Sequence, residues 1–219
     1  LISFPPQFRG GFFKQEFLMR TETLFSSAST LTTGATSPVM QLTRFPSFSV
    51  ISVVDNTTPA AFAAISATTA VDPSTDAITI PAHGMAAGLV VRVAADGGGT
   101  LPTGLAAATD YFVIVVDATT IKLAASYANA VATVPVPVNI TADGSGAFTL
   151  TPTAISGSLV LQASNDASNW AAVTDGSLTI DGDEAFFFEK ASAQYAHIRA
   201  VLTLSAGQAT VSCVFNSNL

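Results

Sequence analysis

Beyond residue 20, apolar and polar residues alternate with a period of two through most of the chain, and Thr, Ser, Gly and Asp-Gly pairs interrupt the alternation every few residues. Such alternation sends one set of side chains to a buried face and the other to solvent, which predicts short strands joined by tight turns. In 158–164 (SLVLQAS), Leu159, Leu161 and Ala163 share one face, and Ser158, Gln162 and Ser164 share the other, with Val160 the apolar exception. In 208–216, Val211, Cys213 and Phe215 oppose Thr210, Ser212 and Asn216, which places the one cysteine among buried neighbours. Tyr195, His197 and Arg199 alternate with Ala196, Ile198 and Ala200, so His197 is expected on the polar side of a half-buried strand. No stretch has the 3.6-residue periodicity of a long amphipathic helix. The expected fold class is all-β: an antiparallel β-sandwich, jelly-roll or immunoglobulin-like, interrupted by a smaller β-rich inserted domain and preceded by an extended N-terminal arm.

The inserted part is expected at 66–152. There DAITIP, GLVVRV, DYFVIVV, TTIKLAA, VPVPVNI and GAFTLTP give six strand candidates, separated by turn signals at His83-Gly84, Asp96-Gly97-Gly98-Gly99 and Asp143-Gly144. The flanking segments 21–65 and 153–219 are each too short for a closed sandwich and are expected to form one together. Insertion into a surface loop is tolerated because the ends of a compact module lie close together. Two domains in tandem is the alternative.

Residues 1–20 form the expected arm. They hold five of the fifteen phenylalanines, Phe4, Phe8, Phe12, Phe13 and Phe17, while Pro5-Pro6 and Gly10-Gly11 break any helix that the ring spacing suggests. Either these rings cover the chain's own core, or, with Arg9, they are contacts to a neighbouring subunit. Nothing in this terminus has the uninterrupted apolar stretch of a secretory signal.

Composition narrows the function. Charged residues make up 11% of the 219 residues, against ~25% in an average soluble domain, so surfaces that disappear under neighbours are expected. Fifteen acids against eight bases give a net charge of −7, which disfavours nucleic acid as a partner. The longest apolar runs, such as YFVIVV at 111–116, are far shorter than a membrane-spanning helix. With one cysteine there is no intramolecular disulfide.

Candidate chemistry is sparse, and no catalytic, cofactor or metal site is expected. His83, in PAHGMAAG, reads as a turn residue hydrogen-bonded to backbone. Asp181-Gly182-Asp183-Glu184 lacks the further ligands of a calcium loop and reads as a solvated turn. The glycine string 97–99 lacks the Lys-Ser/Thr of a phosphate-binding loop and reads as a hairpin tip. Trp170 follows the turn-forming run 164–169; it either plugs the end of the sandwich or offers a ring face to a ligand, and it is the one ligand candidate.

Two stretches carry a resemblance. His83-Gly84, Val-Arg-Val at 91–93, GGTLPTGL, DYFVIVV and TTIKLAAS, together spanning 83–126, resemble a β module that recurs in virion structural proteins of tailed bacteriophages. LQASNDASNW at 161–170, followed by YAHIRAVLTLSAG, is similar to phage tail, neck and head-decoration proteins, where such a run opens a β-sandwich. The resemblance implies a non-enzymatic virion component, a tail, neck or decoration protein whose partners are its own copies and other virion proteins. It brings no catalytic residues. The alternative is a module that binds host-surface carbohydrate through Trp170 and the loops at 96–104 or 181–184.

Overall fold

Strands form where the alternation is cleanest. The computed structural model describes residues 19–25, 30–42, 47–191 and 194–218. The arm residues Phe4, Phe8, Arg9, Phe12, Phe13 and Phe17 therefore lie outside the described residues. In chain order the elements are β1 (Met19–Phe25), β2 (Ala35–Thr36), β3 (Met40–Gln41), β4 (Ser47–Asn56), β5 (Phe62–Ser66), β6 (Val71–Asp72), β7 (Ala77–Thr79), β8 (Val90–Thr100), β9 (Tyr111–Val115) and β10 (Thr120–Ala124). They continue with the single-turn helix α1 (Tyr127–Ala130), β11 (Ser145–Pro152), β12 (Ser156–Ser164), β13 (Ala171–Ile180), β14 (Glu184–Lys190), β15 (His197–Ala206) and β16 (Ala209–Asn218). The fold is all-β and its sheets are antiparallel, as the alternation predicts. Among the described residues no helix is long and apolar enough to cross a membrane.

Two sheets make the sandwich. One has the order β1-β16-β4-β14; the other has the order β13-β12-β15-β2, with β3 also on β15. Their inward faces build one core, in which Leu159, Leu161, Val50, Cys213 and Phe215 are wholly buried. Phe48 stacks on Phe215 at 5.4 Å between ring centroids and lies 5.9 Å from Phe188, a geometry that adds to plain area burial. The third sheet, β5-β11-β8-β9-β10-β7-β6, takes the chain from Phe62 to Pro152. It packs a second core around Ile78, Leu89, Ile121, Ile140, Phe148 and Leu150.

Three details differ from the sequence expectations. Phe62–Ser66, expected with the flanking sandwich in 21–65, pairs instead with β11, because Phe62 and Ile65 pack on the second core. VPVPVNI at 134–140 is not a strand: Pro135 and Pro137 have no N–H to give a ladder, and the segment is held by Val136 N–H on Asn129 O and Val138 N–H on Leu123 O. Gly97–Gly99 is a bulge inside β8 rather than a hairpin tip. The register steps from Asp96↔Ala147 to Thr100↔Ser145, setting three residues against one, and Gly97 and Gly98 take the positive φ this needs.

The two cores meet at Gln208, which is 2% exposed. Its Nε2 donates to Thr57 O at 2.8 Å and to Gly84 O at 3.0 Å, and its Oε1 accepts Ala86 N–H at 2.8 Å. Its backbone N–H donates to Thr58 Oγ1 at 2.9 Å. Thr32 adds a bond from Oγ1 to Ala87 O at 2.8 Å. Two glycines allow close packing on either side of this joint. A Cβ on Gly88 would stand 2.4 Å from the Tyr127 ring, and one on Gly207 2.4 Å from Ile155 Cα; both residues have positive φ. Replacing Gln208 by Leu keeps the volume but leaves three part-buried backbone groups without their partner. Gln208→Leu is expected to lower unfolding free energy by ~1–3 kcal/mol in urea titration, with no change in secondary structure.

Candidate functional site

Of the residues with catalytic potential, His83 and Cys213 are engaged in holding the fold, and one ring nitrogen of His197 is not. His83 is buried; its Nδ1 accepts Met85 N–H at 3.0 Å, so Nε2 carries the proton and donates to Asp117 O at 2.8 Å. Both ring nitrogens are occupied by backbone. His197 lies on the outward side of β15, half-buried as predicted, with Nδ1 buried and unpartnered among the described residues. Cys213 is wholly buried and accepts from Ser52 Oγ at 3.0 Å. Burial pushes its thiol pKa up, which removes the thiolate needed for reactivity.

The acidic turn 181–184 divides its carboxylates. Asp183 Oδ1 accepts Asn56 N–H at 2.7 Å and ties the β13–β14 turn to the end of β4. Glu184 shares a hydrogen bond with Asp181, which raises its pKa. Among the described residues no group of three or more His, Cys, Asp or Glu side chains is placed to hold a metal ion.

Trp170, the ligand candidate, stands just before β13. The Arg199 guanidinium lies 4.2 Å from its ring centroid, and the indole N–H donates to Ala167 O at 3.2 Å. Arg199 is in turn fixed by Gln162, opposite it on β12, whose Oε1 accepts from Nε at 2.9 Å and Nη2 at 2.7 Å. One ring face is therefore taken by a cation–π contact, and the indole is half-buried. Beside it an open cleft of about 400 Å³ is lined by Ser164, Asn165, Asp166, Asn169 and Tyr195, among others.

The loop 164–170 is organised by one carboxylate. Asp166 Oδ1 accepts Asn169 N–H at 2.7 Å, Ser168 N–H at 2.9 Å and Ser164 Oγ at 2.9 Å, and Oδ2 accepts Asn169 Nδ2 at 2.7 Å. The Asn169 backbone N–H, then its side chain, Ser168 N–H and Ser164 hold the Asp166 pKa well below the usual carboxylate range. A depressed folded pKa stabilises the loop fully above the unfolded value, near 3.8, and that contribution is lost as pH falls from there toward the folded value. The Ser168 and Asn169 amides are thus expected to keep full exchange protection down to about pH 4 and to lose it progressively as the pH falls further. Asp166→Ala should lose it at pH 7, measured by hydrogen exchange.

What sequence reasoning missed is a surface. The outward face of the four-stranded sheet carries Phe187, 63% exposed, Ile51, 44% exposed, and Val53, 39% exposed. Phe187 stands opposite Ile51, and Ile51 opposite the half-buried Val214, so one apolar row crosses β14, β4 and β16. Ala185, Val53 and Ser212 form the next row. The signal lay in the breaks in alternation: three successive phenylalanines at 186–188 and the doublets Val50-Ile51 and Val53-Val54. A strand cannot bury adjacent side chains on one face, so Phe186 and Phe188 turn to the core and Phe187 turns out.

No family model matches the chain, and no curated protein matches it. Among solved structures, VP17, a capsid protein of bacteriophage P23-77, aligns with 93% of this chain and 96% of its own, at 10% identity and a TM-score of 0.24. The complex of VP16 and VP17, the two major capsid proteins of that phage, aligns with 93% of this chain and 99% of that chain, at 12% identity and a TM-score of 0.23.

Proposed function

We infer that the chain is a non-enzymatic structural component of a tailed-phage particle, a tail, neck or head-decoration protein that works by repeated contacts with its own copies and with other virion proteins. The observation that carries this reading is the exposed row of Phe187, Ile51 and Val214 on one side of the sandwich. An apolar sheet face rimmed by polar residues marks an interaction surface. The low charged share, 11%, fits a subunit that buries much of its exterior. The resemblance of 83–126 and 161–207 to phage virion proteins supplies the particle. Catalysis would need an unengaged base or nucleophile facing a cleft, whereas His83 and Cys213 are both buried and engaged within the fold.

Within this reading the Phe-rich residues 1–20 join one subunit to the next. Deleting residues 1–17 is expected to leave the melting temperature of the sandwich nearly unchanged while light scattering shows a smaller species. A full-length chain that stays monomeric at high micromolar concentration would overturn the assembly role.

The third sheet, with its own core, is read as a module inserted in the sandwich. Residues 60–154 expressed alone are expected to melt cooperatively with a β-type circular dichroism spectrum; a product without a transition would remove the module.

The cleft beside Trp170, lined by Asn, Asp and Tyr side chains, favours a second reading, binding of host-surface glycan. Glycan-array binding lost in Trp170→Ala would support it, and an empty array would retire it.

A further inference from the structure

The apolar row on the four-stranded sheet has an occupant within the same polypeptide. We propose that the outward face of β1-β16-β4-β14, centred on Phe187, Ile51 and Val214, receives the N-terminal segment, residues 1–18, of a neighbouring copy. The inference rests on the assembly reading above and names the surface at which the contact is made.

Chemistry matches on both counts. The segment carries Phe4, Phe8, Phe12, Phe13 and Phe17, with Arg9 and Lys14 against the single acid Glu16. The outward positions of β4, β14 and β16 carry the apolar row between two exposed carboxylates, Asp55 and Glu189, and no Lys or Arg. An aromatic, weakly basic strand thus faces an apolar, acidic-rimmed sheet, and complementary fields fix register and exclude the opposite pairing of like surfaces. On an extended strand Phe4, Phe8 and Phe12 share one face, and three rings bury about 500 Å², more than half of one partner's share of a standard interface. The other outer face of the sandwich matches it less well: the half-buried pair Val160 and Val201 lies there between Ser158 and Thr203 on one side and Gln162 and Arg199 on the other.

The point of departure favours donation to a neighbour. The segment enters β1 at Met19, which pairs with Asn218, itself opposite Ser47, at the end of the sheet where Lys190 pairs with Phe48. Between Phe12 and Leu18 the sequence FFKQEFL has no Gly, Pro, Asn or Asp to reverse the chain. Seven residues, if extended, span up to ~23 Å, a length sufficient to reach beyond the end of their own sheet before Gly10-Gly11.

Three preparations test this. Phe187→Ser with Ile51→Thr, both at exposed positions, should leave the melt cooperative and weaken self-association by about tenfold or more, as deletion of residues 1–17 does. Mixing Gln7→Cys copies with Ser49→Cys copies should give disulfide-linked heterodimers under mild oxidation, since native Cys213 is buried. If the deletion dissolves the oligomer and the face variant does not, the segment docks elsewhere and this inference fails while the assembly role stands. If neither changes the oligomer, or the full-length chain is a monomer, the assembly role itself fails. A Gln7→Cys, Ser49→Cys double variant that closes only within one chain shows the segment covering its own sheet, which also overturns the proposal.

Discussion

A strand has two faces, and the sheet β1-β16-β4-β14 is apolar on both. Inward it presents Phe48, Phe188 and Phe215, whose rings lock the sandwich; outward it presents Phe187, Ile51 and Val53. Apolar area left in water costs about 25 cal/mol per Å², so a face of this kind is a standing drive toward association. The opposing sheet carries Ser158, Gln162, Arg199 and Thr203 on its outer side around the half-buried pair Val160 and Val201, with no exposed ring among them, and has a weaker drive. The molecule is therefore polarised: one broad side suits water, and the other suits a partner. With few charges to repel a second copy, nothing on the apolar side opposes contact except the carboxylates at its ends.

Directional bonds join the two cores. Apolar packing is tolerant of sliding, whereas hydrogen bonds lose strength quickly as angles depart from linear. The joint at Gln208 consists of the directional kind: its side chain bonds Thr57, Gly84 and Ala86, and its backbone N–H and C=O bond Thr57 and Thr58. Gly88 packs against Tyr127 and Gly207 against Ile155, so the chain next to the joint is close-packed on both sides. A subunit laid down many times multiplies any error in its internal angle, so in the assembly reading a joint of fixed geometry matters more than its modest share of stability.

The fold class was legible because period-two alternation is a direct image of the pleat. SLVLQAS and the 208–216 segment assign their buried faces residue by residue, and Cys213 lies where that pattern puts it. Legibility failed where two conformations share a period. VPVPVNI alternates like a strand, but its prolines remove alternate donors, and only the missing ladder separates the two cases. Gly97–Gly99 carries turn chemistry equally suited to a hairpin tip or a bulge, and the choice depends on a register set by β11, fifty residues away. In the sequence Gln208 is only the first residue of the alternating 208–216 segment, because nothing local records the backbone groups that converge on it. The exposed row was present in the sequence as broken alternation, but which of three adjacent phenylalanines turns outward depends on the register with β4.

The distribution of polar bonds bears most directly on what such a chain does. Asp166 accepts four donors within its own loop, Gln162 holds Arg199 in place under Trp170, and both nitrogens of His83 are taken by main chain. A group that transfers protons or grips a substrate keeps a lone pair or a proton directed into open space. Here those strong groups are turned inward to hold loops and joints rigid, while the side chains exposed on the outer face of the four-stranded sheet include a phenyl ring, an isoleucine and a valine. Such a surface recognises shape and apolar area, and a protein surface, broad and itself partly apolar, answers that demand better than a small polar molecule.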